Sequence, residues 1–201
     1  YYSYLTEIAA NENDNETVID AGQLALTLLP QQEVLLRARV GARMADVFWR
    51  QDNYTDALEF YTNTYHQDPS IFRRLDLKIP ITISEDGTSF SRSASDYLVR
   101  SPRFTEHANG LVLEVQSIPD LSVCLKSKAG TVLSCYTAAA AESQSSKWNA
   151  QEVTRLFHTD TFGLGYDISK AQRSILLGSS VILSSQINSN LRNSRDAFMV
   201  R

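Results

Sequence analysis

"ADVFWRQDNYTDALEFYTNTYHQDP", residues 45–69, reads as helix, turn, helix. Met44, Ala45, Phe48 and Trp49 recur at the spacing of one helical face. Gln51 to Thr55 breaks the pattern with Asp and Asn, which favour turns and caps. Ala57, Leu58, Phe60, Tyr61, Thr64 and Tyr65 then form a second face, and Pro69 ends it by pushing Asp68 out of helical geometry. Helices joined by so short a turn can cross closely only where both carry small side chains. Ala45 and Ala57 supply them, and the aromatics fill the wedge on either side.

These residues resemble the tetratricopeptide repeat, a helical hairpin with a signature of small and aromatic residues closed by Pro. Met44 and Ala45 match the large and small positions of its first helix, and Phe48 the aromatic that follows. Tyr54, Ala57, Tyr61 and "DP" at 68–69 match the rest, with Asp52 replacing the usual turn glycine. A weaker copy is expected upstream, offset by about 36 residues. It matches Ile8 and Ala9 to Met44 and Ala45, Val18 to Tyr54 and Ala21 to Ala57, with Pro30 after its second helix. The resemblance implies a groove that holds a partner. Arg39, Arg43, Asp46 and Arg50 would line it in the second unit; the plainer alternative is a solvated face. Two such units rarely stand alone, so both further repeats before Tyr1 and a second module that caps the stack are expected.

Beyond Ile71–Arg74 the texture changes, and the expected domains are 1–76 and 77–201. "LKIPITI", 77–83, reads as a strand before a turn at "SEDG", with Pro80 at an edge or strand start. "SRSASDYLVRS", 91–101, reads as a helix capped by Ser91 or Ser93, and "GLVLEVQSI", 110–118, as a strand. Residues 121–140 read as a hairpin around Ala129-Gly130, and 141–147 as a loop. Residues 148–162 read as a helix with Trp148, Val153, Leu156 and Phe157 inward. A helix over 167–178 and a strand over 179–187 complete the pattern. The fold class is α+β: helical-hairpin repeats followed by a small α/β sandwich with a β-hairpin. "SASDYLVRSPRF" (93–104), "KAGTVLSC" (128–135) and "AQEVTRLFHTDTF" (150–162) resemble the α/β domains of bacterial envelope lipoproteins of the CsgG and TolB amino-terminal kind. That resemblance implies a periplasmic or outer-membrane location.

Residues 1–76 carry 12 acids and 6 bases, and the remainder 11 acids and 13 bases. The uneven balance fits two modules. It reads either as a preference of residues 1–76 for a basic partner or simply as a solvated acidic face. With a net charge of -4, nothing in the overall charge points to a nucleic-acid binder, and no nucleic-acid partner is expected. No apolar run approaches the roughly 18 residues that a membrane span needs. The start at Tyr1 and the end at "RDAFMVR" read as a segment of a longer protein, in which a lipid on a preceding cysteine would provide membrane anchoring.

Catalytic signals are weak. His66, His107 and His158 stand outside any metal-ligand spacing, and no G-x-S-x-G elbow occurs. "GLGYDIS", 163–169, reads as a turn and cap rather than a phosphate loop, and Arg100 and Arg103 flank "SP" as an anion site or as solvated charges. No metal and no cofactor is expected. A hairpin centred on Ala129-Gly130 pairs 128 with 131, so Cys124 faces Cys135. Their β-carbons then lie about 4.5–5.5 Å apart, whereas a disulfide needs about 3.5–4.5 Å, so only a closely approaching, non-hydrogen-bonded pair admits one; the alternative is two buried thiols. The leading expectation is a non-catalytic scaffold that binds a protein partner, itself an oligomer or part of an envelope assembly. The alternatives are an enzyme that recruits substrate through its repeats, or a structural subunit of a secretion or motility complex.

Overall fold

The computed structural model describes residues 1–138 and 146–163. Helices α1 (Tyr2–Glu12) and α2 (Asn15–Leu28) form one hairpin, and α3 (Val34–Arg50) and α4 (Tyr54–Gln67) a second. The same punctuation shapes both. Asn13 and Asp52 end the first helix of each hairpin in left-handed backbone, at φ 59° in both cases. The next residue caps the second helix: Asp14 accepts from the Thr17 N–H, and Asn53 from the Asp56 N–H. The second helix then stops one residue before a proline, at Leu29-Pro30 and Asp68-Pro69.

Asn13 to Asp52 and Pro30 to Pro69 are both separated by 39 residues. The hairpins therefore correspond at 39 residues, not at the expected 36, because the turns rather than the apolar residues set the register. Leu5 and Thr6, not Ile8 and Ala9, stand where Met44 and Ala45 stand, and Val18 matches Ala57. Thr6, Val18, Ala45 and Ala57 are all buried and Ile8 is 53% exposed, but Ala9 and Ala21 are buried too, so the turns and prolines, not burial, fix the correspondence.

Helix α5 (Ser70–Arg74) leads into a mixed five-stranded sheet of order β2-β1-β3-β4-β5. Its strands are β1 (Ile79–Glu85), β2 (Phe104–Glu106), β3 (Leu111–Gln116), β4 (Leu121–Lys126) and β5 (Val132–Ala138). Strand β1 runs parallel to β2 and β3, and β3, β4 and β5 are mutually antiparallel neighbours. Helices α6 (Ser89–Val99) and α7 (Ser146–Phe162) pack side by side on this sheet. Leu111, Leu113, Val115, Leu121, Val123 and Leu125 are buried. The architecture is α+β. The described residues fall in one compact unit with one continuous core that reaches from Ala9 to Phe162.

Several local expectations are corrected. β1 lies inside the sheet, so of the two places expected for Pro80 the strand start is the one found: it is the second residue of β1, and pairing with β3 begins only at Ile81. Thr88, not Ser91 or Ser93, caps α6, accepting from the Ser91 N–H at 3.2 Å. The β4–β5 register holds from Leu121↔Ala138 to Leu125↔Ser134 but shifts at Lys126↔Val132. The tip is wider than a two-residue turn: Ser127 N–H donates to Thr131 O, and Gly130 N–H to Ser127 O. In α7, Val153 and Phe157 are buried and Leu156 is half-buried. The elements expected at 167–178 and 179–187 lie outside the described residues.

The chain passes from β2 to β3 across β1. His107 N–H donates to Ile81 O on the way. Gly110 then lies flat on the β1 backbone, where an added β-carbon would stand 2.5 Å from Ile81 Cα and from the Pro80 carbonyl carbon. Glycine is required there because main chain meets main chain.

Candidate protein-interaction face

Arg39, Arg43, Asp46 and Arg50 recur every three or four residues along α3, on the side that faces α1. Arg43 grips Glu7 with two donors, Nη2 to Oε1 at 2.6 Å and Nε to Oε2 at 3.3 Å. Arg39 reaches the same carboxylate at a looser 3.7 Å. Arg50 pairs with Asp46 at 3.2 Å, one turn away on its own helix, and donates to Asn13 Oδ1 at 3.4 Å. The structure thus brings all four predicted residues onto one strip and adds Glu7 and Asn13. Sequence reasoning missed these two, because their only signal is that each lies close to 36 residues before its arginine.

The strip holds three guanidinium groups against two carboxylates. It is polar, partly exposed and densely supplied with donors. The Arg50–Asp46 pair and the looser Arg39–Glu7 contact are the more exposed and contribute only about 1 kcal/mol or less each, whereas the two-donor Arg43–Glu7 pair is half-buried and holds α1 against α3. At the end of the strip the Trp49 ring packs against Tyr54 and His107, with centroids 4.8 Å away in both cases. His107 is thus a joint between the hairpin turn and the β2–β3 crossing, and its Nδ1 accepts from the Asn109 N–H.

The remaining candidates have structural duties. His66 is exposed in the last turn of α4, where it favours the helix dipole. His158 is fully buried: its Nδ1–H donates to Thr154 O at 2.8 Å, which leaves Nε2 to accept from the Ser101 hydroxyl at 2.9 Å. Burial pushes its pKa down to about 4, with Arg103 adding to the effect against the Thr154 hydrogen bond. Arg100 is exposed, but Arg103 is not a solvated charge. It is buried, donates from Nη1 to Phe72 O and Leu77 O, and pairs through Nη2 with Asp76 at 2.5 Å. It thereby bolts the α5–β1 connection to β2. Of "GLGYDIS", only Gly163 is described.

Asp86, at the end of β1, accepts from the N–H and hydroxyl of Thr88 and of Ser117. Desolvation opposes its charge, but these hydrogen bonds prevail and hold its carboxyl well below the usual range. They tie the β1–α6 and β3–β4 loops together.

Cys124 and Cys135 face each other across β4 and β5, with their sulfurs bonded and their α-carbons 4.0 Å apart. Strand alternation turns Cys124 away from the face that carries Val123 and Leu125. Among the described residues no group of three or more His, Cys, Asp and Glu side chains is placed to hold a metal, and no helix is long and apolar enough to cross a membrane. Comparison with protein-family models, curated proteins and solved structures returns no match.

Proposed function

We propose that this chain is a non-catalytic interaction protein whose α1–α3 strip engages a protein partner. One observation carries this reading: the first helices of the two hairpins lie side by side, joined through Glu7 and Arg43, and present one continuous charged strip. The tetratricopeptide resemblance is supported by the repeated turn, cap and proline and by the buried Ala45 and Ala57. The Cys124–Cys135 bond favours an oxidising compartment. Together with the resemblance of residues 93–104, 128–135 and 150–162 to envelope lipoprotein domains, it supports a location in the bacterial envelope as part of this proposal.

Photo-crosslinking in the native host tests this. A crosslinking residue at Arg39 or Arg50 is expected to capture the same protein, and one at Thr137 on β5 is not. Arg43→Glu should abolish that adduct. Capture from Thr137 alone, or an adduct indifferent to Arg43→Glu, overturns the assignment.

A further inference from the structure

The Cys124–Cys135 bond is unequal at its two ends. The Ser134 hydroxyl meets that of Thr161 on α7 at 2.8 Å, so the next residue, Cys135, stands on the opposite, open face of the sheet. There Cys135 is exposed on the edge strand β5, whereas Cys124, one strand further in, is only 7% exposed. A thiolate from outside therefore reaches one sulfur of the bond far more readily than the other. The main-chain ladder continues on both sides of the pair, at Val123↔Tyr136 and Leu125↔Ser134, and holds β5 without the sulfurs. The bond can thus open while the strands stay paired.

The surroundings select the thiol. Glu114 faces Cys124 from β3 and is paired with Lys126, and Ser122 and Thr137 face each other two residues along the same face. The centre of a protein contact is depleted of charge, and here an ion pair stands beside the bond. A small thiol needs only the exposed sulfur. We infer that Cys135 is a site of exchange with low-molecular-weight thiols, and that Cys124 is the group displaced. The small thiolate attacks Cys135 Sγ and forms a mixed disulfide there. The bond to Cys124 breaks, its electron pair goes to Cys124 Sγ, and that thiolate takes a proton from water. Lys126 offsets the Glu114 charge that would otherwise oppose a thiolate at this point. A second small thiolate attacks the outer sulfur of the mixed disulfide, and the Cys135 thiolate it releases accepts from the Thr137 hydroxyl, which already lies 3.9 Å from Cys135 Sγ. Two small thiols become one disulfide and both cysteines are reduced; the reverse sequence closes the bond. The α1–α3 strip has no part in this chemistry.

Glutathione is the probe. The oxidised 201-residue chain is placed in excess reduced glutathione, quenched with acid and mapped by mass spectrometry. The glutathionyl intermediate should sit on Cys135, both thiols should then appear, and oxidised glutathione should restore the bond, with the circular dichroism unchanged throughout. Single variants compare the two sulfurs directly, once each is shown to keep the parent's spectrum. With oxidised glutathione, Cys124→Ser, which retains Cys135, should be modified at least about tenfold faster than Cys135→Ser. A glutathionyl group on Cys124 overturns the inference. So do equal rates for the two variants, loss of the native spectrum when the bond opens, or a bond that glutathione opens only in denaturant.

Discussion

The Ser101 hydroxyl donates to Nε2 of His158 across 2.9 Å in the buried core. The tautomer is fixed from the other side, because Thr154 O can only accept and so claims the Nδ1 proton. Protonating Nε2 would make both ring nitrogens donors and force the Ser101 hydroxyl proton to turn away, in a site where burial already disfavours charge. The folded state keeps His158 neutral down to about pH 4. The unfolded chain takes up the proton near its ordinary 6.5. Stability is therefore full above about pH 6.5 and falls as pH drops towards 4, by roughly 3 kcal/mol over the window. Urea denaturation at stepped pH measures this. His158→Leu should lower the plateau, since Ser101 loses its acceptor, and flatten the slope between pH 6.5 and 4. A variant with the parent's slope would mean that another group controls acid unfolding.

Arg103 offers a second test, of how the helices and the sheet are joined. Its guanidinium serves two main-chain carbonyls and one carboxylate. Asp76 itself is exposed, so the carbonyls matter more than the ion pair. Arg103→Met should cost about 3 kcal/mol by stranding the Leu77 carbonyl. Asp76→Ala should cost under about 1 kcal/mol. Equal losses in thermal melts would place the stabilisation in the ion pair instead.

What was readable in the sequence is what local chemistry writes. The hairpin of residues 45–69 shows because Asp52, Asn53 and Pro69 punctuate it within a few residues of the apolar faces they separate. Cys124 faces Cys135 as the count outward from Ala129-Gly130 expects, but the wider tip comes back into that register only through the shift at Lys126↔Val132. Strand β2 was hidden because three residues, Phe104–Glu106, are too few to show a period. Arg103 reads as a surface charge until the chain folds Phe72 and Leu77 over it, 31 and 26 residues away in sequence. The strip was half legible. Helical spacing assembles Arg39, Arg43, Asp46 and Arg50, but only tertiary packing brings Glu7 to them. The offset between hairpins was misread because matching small and apolar residues outweighed the turn residues that set the register.

The crossing at Gly110 predicts a sharp sensitivity. An added methyl there meets the backbone of Pro80 and Ile81, which cannot rotate away as a side chain can. Gly110→Ala should destabilise the protein by about 3 kcal/mol or more. Gly130→Ala is the control: nothing lies within 4 Å of its added β-carbon, and its cost comes only from a φ of +86°. It should be milder, about 1–2 kcal/mol. If chemical denaturation ranks them in the opposite order, the main-chain contact at Gly110 is looser than described.

The bond between Cys124 and Cys135 closes a short loop, and it ties the edge strand β5 to β4. Cross-linking stabilises mainly by restricting the unfolded chain, and a loop of this size contributes about 2–3 kcal/mol. The register is already held by the main-chain ladder from Leu121↔Ala138 to Leu125↔Ser134. The Cys124→Ser, Cys135→Ser double variant should therefore keep the parent's fold and lose only this increment. The location is tested by alkylating the native protein before and after reduction, with mass spectrometry as the readout. Protein taken from its own compartment should resist alkylation at both positions until it is reduced. Two cysteines that alkylate at once would remove the bond from the native protein, and with it the support for an oxidising envelope compartment.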